Sequence, residues 1–193
     1  KVSDKIKVIR SLLARVDALL IGGAMAYTFL RAEGEPTGRS LVEEEQIGLA
    51  KELLAEGRRR NVQLLLPSDH VVAREAVAGS PPMTVDQIPA DQIALDVGPQ
   101  TIARFRAVIA TARTIFWNGP LGMFEVPPFD SGTMAIAAAV ADAEATSIIG
   151  GGDSVAAVMR SGRAADISHI STGGGASLEF LEGETLPGLA ALD

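Results

Sequence analysis

The residues best suited to chemistry lie in the stretch Ser147-Ile148-Ile149-Gly150-Gly151-Gly152-Asp153-Ser154. Two β-branched apolar residues read as the end of a buried strand. The alanine-rich run Val155 to Met159 reads as a helix with Asp153 or Ser154 near its N-cap. A strand, a glycine turn and a helix start together form an anion site. Bare glycines let a phosphate approach the backbone, and the first helical N–H groups present it with the positive end of the helix dipole. Asp153 sharpens this expectation, because a carboxylate repels a bare phosphate but holds a metal ion that bridges to it. Magnesium characteristically binds through one or two carboxylates plus nucleotide phosphates. The stretch therefore points to a metal–nucleotide site, although glycines at such a turn also serve simply to permit tight packing.

Other phosphate and nucleophile patterns fit less well. Gly38-Arg39-Ser40 lacks the lysine of a Walker A loop, and Gly34 stands too close upstream. Gly150 and Gly152 have dinucleotide spacing, but Val155 fills the third small position and Asp153 would face a pyrophosphate that carries no metal. Gly152-Asp153-Ser154-Val155-Ala156 resembles the elbow of a serine hydrolase, with Asp166 and His169 later in the chain. Those two fall on one predicted strand rather than on separate loops, which suits a triad poorly. Lys1 and Lys5 share a face if they lie on a helix or tight turn, and could neutralise a phosphate in flight; an ordinary solvated basic end is the alternative. Asn118, Leu121, Met123, Phe124 and Glu125 could clasp a base and ribose, or form core packing around a Gly-Pro turn.

The positioning elements follow from periodicity. Helical spacing marks Ile6 to Val16, Ala24 to Leu30, Leu41 to Arg60, Ile102 to Ala112 and Ser131 to Glu144. Strands are expected at Ala18-Leu19-Leu20-Ile21, Val62 to Leu66, Gln92 to Val97, Thr114 to Trp117, up to Ile149, and Ile167 to Ser171, with Met83-Thr84-Val85 in a side hairpin and Asp69 to Ala90 otherwise irregular. Glu43, Glu44 and Glu45 at the start of the long helix, and Arg58, Arg59 and Arg60 at its end, match the helix dipole. Alternation of strand and helix predicts an α/β fold, a doubly wound, mostly parallel sheet with helices on both faces (Rossmann-like), in a single three-layer domain. Glycine turns at 22, 150 and 173 all follow strands, and so fall on the rim where such sheets bind ligands.

The 193 residues suffice for one domain with a substantial core. Net charge of −7 disfavours nucleic acid and acidic membrane as partners. Absence of cysteine excludes disulfides and thiolate metal sites and fits a cytoplasmic setting. No apolar run reaches membrane-spanning length.

Taken together, KVSDKI, LLIGGAMAYTFL, ALDVGPQT, WNGPLGMFE, IIGGGDS, HISTGGGASLEFLEG and LPG occur in the order seen in phosphoglycerate kinases and extend over nearly the whole chain. The chain resembles the C-terminal, nucleotide-binding domain of that family, with the N-terminal domain that carries the 3-phosphoglycerate site absent. The resemblance implies reversible phosphoryl transfer between ATP and 3-phosphoglycerate in glycolysis, giving ADP and 1,3-bisphosphoglycerate, with Mg²⁺ as cofactor and a monomeric complete enzyme.

It also implies residue roles. Lys1 would steady the moving phosphoryl group and Lys5 the nucleotide phosphates. Gly22 and Gly23 would lie along the adenine slot, walled by Leu95, Pro120, Leu121 and Met123. Asn118 would contact the ribose–phosphate region and Glu125 the ribose hydroxyls. Gly151 and Gly152 would meet phosphate through backbone N–H groups, Asp153 would hold Mg²⁺, and Ser154 would sit against the phosphates. Thr172, Gly173, Gly174 and Gly175 would line the transfer site. Ala24 departs from the family's third glycine and Ser154 from its common threonine. The chain as given is expected to bind Mg–nucleotide without turnover, and its tail, Leu189 to Leu192, to dock on the absent domain. A serine hydrolase using Ser154 and a non-catalytic nucleotide-binding module are the competing readings.

Overall fold

The structure, a computed structural model, describes residues 1–171 and 175–183. The chain opens with an extended segment whose Val2 is fully buried. It continues through α1 (Ile6–Leu13), β1 (Ala18–Leu20) and α2 (Met25–Glu33). Ile9 and Leu13, one helical turn apart, bury the inner face of α1, as the spacing predicts. Gly34 ends α2 in the left-handed conformation that residues with a Cβ avoid.

A 3-10 turn at Glu44–Gln46 leads into α3 (Ile47–Arg59), then β2 (Gln63–Leu65). The helix thus begins six residues later than its periodicity suggests. Glu43 explains the delay: its side chain binds the N-terminal segment and its backbone N–H donates to Thr28 Oγ1 at 3.0 Å, which holds it out of helical geometry. The three glutamates expected to seat the helix dipole all precede α3.

Next come β3 (His70–Ala73), β4 (Met83–Val85), β5 (Ile93–Val97) and α4 (Pro99–Ile109). The chain then runs through β6 (Thr114–Asn118), α5 (Ser131–Asp142), β7 (Thr146–Gly150), α6 (Gly152–Arg160), β8 (His169–Ile170) and α7 (Ala176–Glu182). Among the described residues the strands form three ladders. β1 pairs with β2 in parallel, and β6, β7 and β8 pair in parallel in that order. The third ladder, β4-β3-β5, is antiparallel. The fold is thus the expected α/β arrangement of parallel strands flanked by helices, with two corrections. Residues 70–73, expected to be irregular, form a strand, and the strand at 93–97 belongs to the antiparallel hairpin rather than to the parallel set.

Apolar side chains gather in two main clusters. One joins α1, α2 and α3 around Phe29 and Leu53; the other joins α4, α5, α6, β6 and β7 around Phe105, Val140, Ile149 and Val158. Burying each such large side chain stabilises the fold by roughly 1.5–3 kcal/mol.

Two buried aspartates fix helix starts from a distance. Asp69, just before β3, accepts from Gln100 N at 2.9 Å, Thr101 N at 2.7 Å and Thr101 Oγ1 at 2.6 Å, so it caps α4 although it lies 31 residues upstream. Pro99 at the first position of α4 needs no such partner. Asp96, on β5, accepts from Gly132 N at 2.7 Å at the start of α5, and from Val97 N at 2.8 Å. Burial nevertheless dominates: it pushes the Asp96 carboxyl up to about 7, with nearby Asp130 adding to the shift and the two N–H donors opposing it.

Two predictions follow from these carboxylates. Asp69→Ala leaves two backbone N–H groups unmatched, while Thr101 Oγ1 keeps the Asp69 carbonyl at 3.2 Å, and should lower stability by about 2–4 kcal/mol, read as a reduced urea midpoint with an unchanged slope. Asp96 acts through pH. Its folded-state pKa of about 7 lies above its ordinary 3.8, so the folded chain binds that proton more tightly than the unfolded chain. The cost of ionising it is absent below about pH 4, accumulates as pH rises, and is complete above about pH 7, on the order of 4 kcal/mol in all. Wild type should therefore lose stability relative to Asp96→Asn as pH rises from about 4 to about 7, and parallel stability–pH curves would refute this assignment.

Candidate functional site

The site is assembled where the N-terminal segment meets the ends of β6 and β7. Lys5 N donates to Val2 O at 3.0 Å, closing a turn just before α1. Lys1 and Lys5 therefore straddle a turn, not a helix, and Lys1 is exposed at its start. Buried Val2 anchors the turn. Glu43 holds it from outside, accepting from Val2 N and, at 2.6 Å, from Ser3 Oγ.

Lys5 Nζ donates to Asn118 Oδ1 at 2.5 Å, and Asn118 Nδ2 donates to Gly150 O at 2.8 Å. Ammonium can only donate and carbonyl can only accept, so these two partners fix the orientation of the amide. Half-burial lowers the Lys5 pKa from its ordinary value, with Asp4 partly opposing the shift. The first corner of the expected phosphate site is thus joined to one of the expected lysines through the end of β6.

Gly151 has φ of +89°, and a Cβ there would lie 2.6 Å from Asn118 Nδ2. Only glycine fits both that backbone conformation and that approach. α6 begins at Gly152, and its first intrahelical bond is Val155 N to Gly151 O at 3.0 Å. The N–H groups of Gly152, Asp153 and Ser154 precede that bond, as at any helix start. Asp153 is exposed, and its carboxylate makes no hydrogen bond or ion pair among the described residues.

Ser154 is 1% exposed and its Oγ accepts from Gly119 N at 2.5 Å. The hydrolase elbow is therefore not supported. The hydroxyl is enclosed, Asp166 is engaged by Arg163 Nε at 2.7 Å, and His169 is exposed on β8.

The loop 119–130 supplies the next wall. Gly23 N donates to Leu121 O at 3.1 Å, and Met123 N donates to Leu95 O at 2.8 Å. A Cβ on Gly23, which has φ of +66°, would lie 2.9 Å from Pro120 O, so the glycine corner after β1 fits directly against this loop. Gly22 likewise faces the Leu121 side chain. Gly22, Gly23, Leu95, Pro120, Leu121 and Met123, which the family resemblance implies surround one slot, are thereby brought together. Leu95 and Leu121 are buried, while Glu125 is exposed.

The third glycine corner is represented by Gly175, which caps α7, and by Ser177, which stands beside Gly150 and contacts Ser171 Oγ at 2.6 Å. Thr172, Gly173 and Gly174, and the tail Leu189 to Leu192, lie outside the described residues.

Sequence reasoning overlooked the residues that hold the loop and the turn. Thr133 Oγ1 accepts from Leu121 N at 3.1 Å and from Gly122 N at 3.3 Å. Arg160 donates to Phe124 O at 2.5 Å and to Asp130 Oδ2 at 2.8 Å. Glu43, taken for a helix-dipole charge, clamps the turn between the two lysines. Only Thr133, a hydroxyl in the first turn of a helix after a glycine-proline loop, carried a local signal of this kind.

Comparison with known proteins agrees with this architecture. A family model described as phosphoglycerate kinase matches residues 1–184. Among curated relatives, phosphoglycerate kinase of Solibacter usitatus is 61% identical over 193 residues, covering 100% of this chain and 49% of its own length. That of Clostridium perfringens is 56% identical over 194 residues, again covering 100% of this chain and 49% of the relative. The solved structure of phosphoglycerate kinase from Coxiella burnetii superposes with a TM-score of 0.96 at 43% identity, over 100% of this chain and 50% of that one. The enzyme from Pyrococcus horikoshii gives a TM-score of 0.85 at 35% identity, over 100% and 49%. The chain spans about half the length of these relatives. With this coverage, identity and superposition, the chain belongs to the phosphoglycerate kinase family.

Proposed function

We propose that these 193 residues are the C-terminal, nucleotide-binding half of a phosphoglycerate kinase, binding Mg-ATP and Mg-ADP. Transfer of the phosphoryl group to and from 3-phosphoglycerate then depends on a second half outside this sequence. The observation that carries the reading is the junction of Lys5, Asn118 and Gly150 next to the start of α6, where the carboxylate of Asp153 is exposed and has no partner among the described residues. A cation, an acceptor for a metal and a helix start meet at one corner, a combination suited to a polyphosphate and its counterion.

The residues fit magnesium. Among the described residues no cluster of three or more acidic or histidine ligands could enclose a metal. Magnesium needs no such cluster when phosphates complete its shell. Asp153 would hold the ion, which when bound neutralises phosphate charge.

The protein's own groups would do the rest. Lys5 would bind the nucleotide phosphates, leaving Asn118 to share its contact. Lys1, across the same turn, would face the phosphoryl group in flight. Backbone N–H groups of Gly151 and Gly152 would bind phosphate oxygens, and Thr172, Gly173, Gly174 and Gly175 would line the transfer site. Gly22, Gly23, Leu95, Pro120, Leu121 and Met123 would enclose adenine, and Glu125 would accept hydrogen bonds from the ribose. Ser154 would support the phosphates from beneath by fixing Gly119. In this reading catalysis is alignment and charge neutralisation, with no covalent enzyme intermediate. Closure of two halves would exclude water. Action in the cytoplasm and a monomeric complete enzyme accompany the same reading.

Titration of ADP with and without Mg²⁺ tests this proposal. Wild type should bind ADP more tightly with magnesium, and Asp153→Ala should weaken the magnesium-dependent affinity by at least about tenfold, the loss typical of a disturbed metal ligand set. Equal affinities in all four conditions would overturn the metal–nucleotide assignment. Supplied with both substrates, the chain should show negligible turnover in a coupled kinase assay; turnover at the rate of a complete phosphoglycerate kinase would refute its assignment as a half.

A further inference from the structure

Loop 119–124 is tied to both ends of one helix. At the first turn of α6, Ser154 Oγ accepts from Gly119 N at 2.5 Å; at its last residue, Arg160 Nη1 donates to Phe124 O at 2.5 Å. The second guanidinium nitrogen, Nη2, donates to Asp130 Oδ2 at 2.8 Å, where the chain enters α5. A nine-residue helix is about 13.5 Å long, so α6 is a spar and the loop is strung along it.

The position of the second tie has a consequence for Glu125. The carbonyl of Phe124 and the N–H of Glu125 belong to one planar peptide. Fixing that carbonyl therefore fixes the plane from which the Glu125 side chain departs. Glu125 has no restraint of its own: it is exposed and makes no hydrogen bond or ion pair among the described residues. Phe124 itself is buried.

The Arg160–Asp130 pair is partly solvated, with side-chain exposures of 40% and 20%, so as an ion pair it contributes little to stability. Its effect is directional. A planar guanidinium that donates to two fixed acceptors at once has one orientation, a property that lysine does not share.

We propose that Arg160 is a positioning residue for the Glu125 carboxylate, and that it thereby sets discrimination at the sugar hydroxyls of a bound nucleotide. This rests on the reading above in which Glu125 meets the ribose. Arg160 itself touches no substrate, and it lies at the end of α6 remote from Asp153.

The test compares the affinities of Mg-ADP and Mg-2′,3′-dideoxy-ADP in wild type, Glu125→Gln, Arg160→Met and Arg160→Lys, by isothermal titration. Arg160→Met should weaken Mg-ADP about fivefold, the equivalent of one net hydrogen bond. It should leave the dideoxy nucleotide nearly unchanged, so that the preference for ADP collapses as it does in Glu125→Gln. Arg160→Lys, which keeps the charge but not the fork, should fall between. A role confined to stability would lower the melting temperature and leave the ratio of the two affinities at its wild-type value. That result, with Glu125→Gln still collapsing the ratio, overturns the proposal. If Arg160→Met does not fold, Arg160→Lys decides: a reduced ratio supports the proposal and a wild-type ratio overturns it. If Glu125→Gln leaves the ratio intact, the ribose role of Glu125 is wrong and the proposal falls with it. If wild type binds neither nucleotide, the nucleotide reading itself fails.

Discussion

One amide side chain joins the parts of the site. Asn118, the last residue of β6, accepts from Lys5 and donates to Gly150, the last residue of β7. Its two ends are chemically distinct, so it can satisfy a cation and a carbonyl at once only in one orientation. The register of the parallel pair makes this possible, because Asn118 stands directly opposite Gly150. Gly151 then leaves room for the amide nitrogen where any side chain would displace it. Lysine, strand end and glycine corner are thereby fixed relative to one another through a single residue.

The placement of that residue follows from the packing. One apolar cluster gathers α1, α2 and α3; the other gathers α4, α5 and α6 with β6 and β7. Lys5 enters from the first body and Asn118 from the second. Contacts between the bodies recur at the same rim, where Gly23 N meets Leu121 O. Apolar burial supplies the stability of each body, while directional hydrogen bonds set how their edges meet. Precision at the rim is therefore a matter of backbone approach, and this is why glycines accumulate there.

Much of this was legible in the sequence, for identifiable reasons. The corner Gly150–Asp153 announces itself because an apolar strand end, consecutive glycines and a following helix are adjacent in the chain. The helix faces of α1 and α4 are equally plain, since Ile9 with Leu13 and Phe105 with Ile109 repeat at helical spacing. Direction within a sheet was not legible: Ile93–Val97 is a short apolar run that suits a parallel or an antiparallel neighbour equally. β3 was hidden by its polar flank, Asp69 and His70, both buried for tertiary reasons. Glu43 looked like part of a dipole-matched helix, and contacts with Val2 and Ser3, about 40 residues away, and with Thr28 take it out of that helix. Arg160 resembled any basic residue in a last helical turn; its partners are 36 and 30 residues distant. Local patterns reveal the corners, but the side chains that orient them are chosen by contacts that form only in the folded chain.

The distribution of satisfied and unsatisfied groups limits the chemistry still further. Ser154, Thr133, Asn118 and Asp96 all have their polar atoms matched inside the protein. An enclosed hydroxyl that already accepts a backbone N–H is a poor nucleophile, and the buried carboxyl of Asp96 is out of reach of a ligand. Among the described residues, the groups left exposed and without partners include Asp153, at the positive end of α6, and Glu125, at the edge of the loop. Asp153 stands in the first turn of α6, where an exposed carboxylate suits the positive end of the helix dipole. The orienting groups of this corner are locked, with Lys5 held through Asn118, while the carboxylates of Asp153 and Glu125 stand exposed. Under the nucleotide reading proposed above, this arrangement would serve a reaction whose transition state spreads negative charge over phosphoryl oxygens, because such a reaction requires fixed positive potential and alignment rather than a new covalent bond.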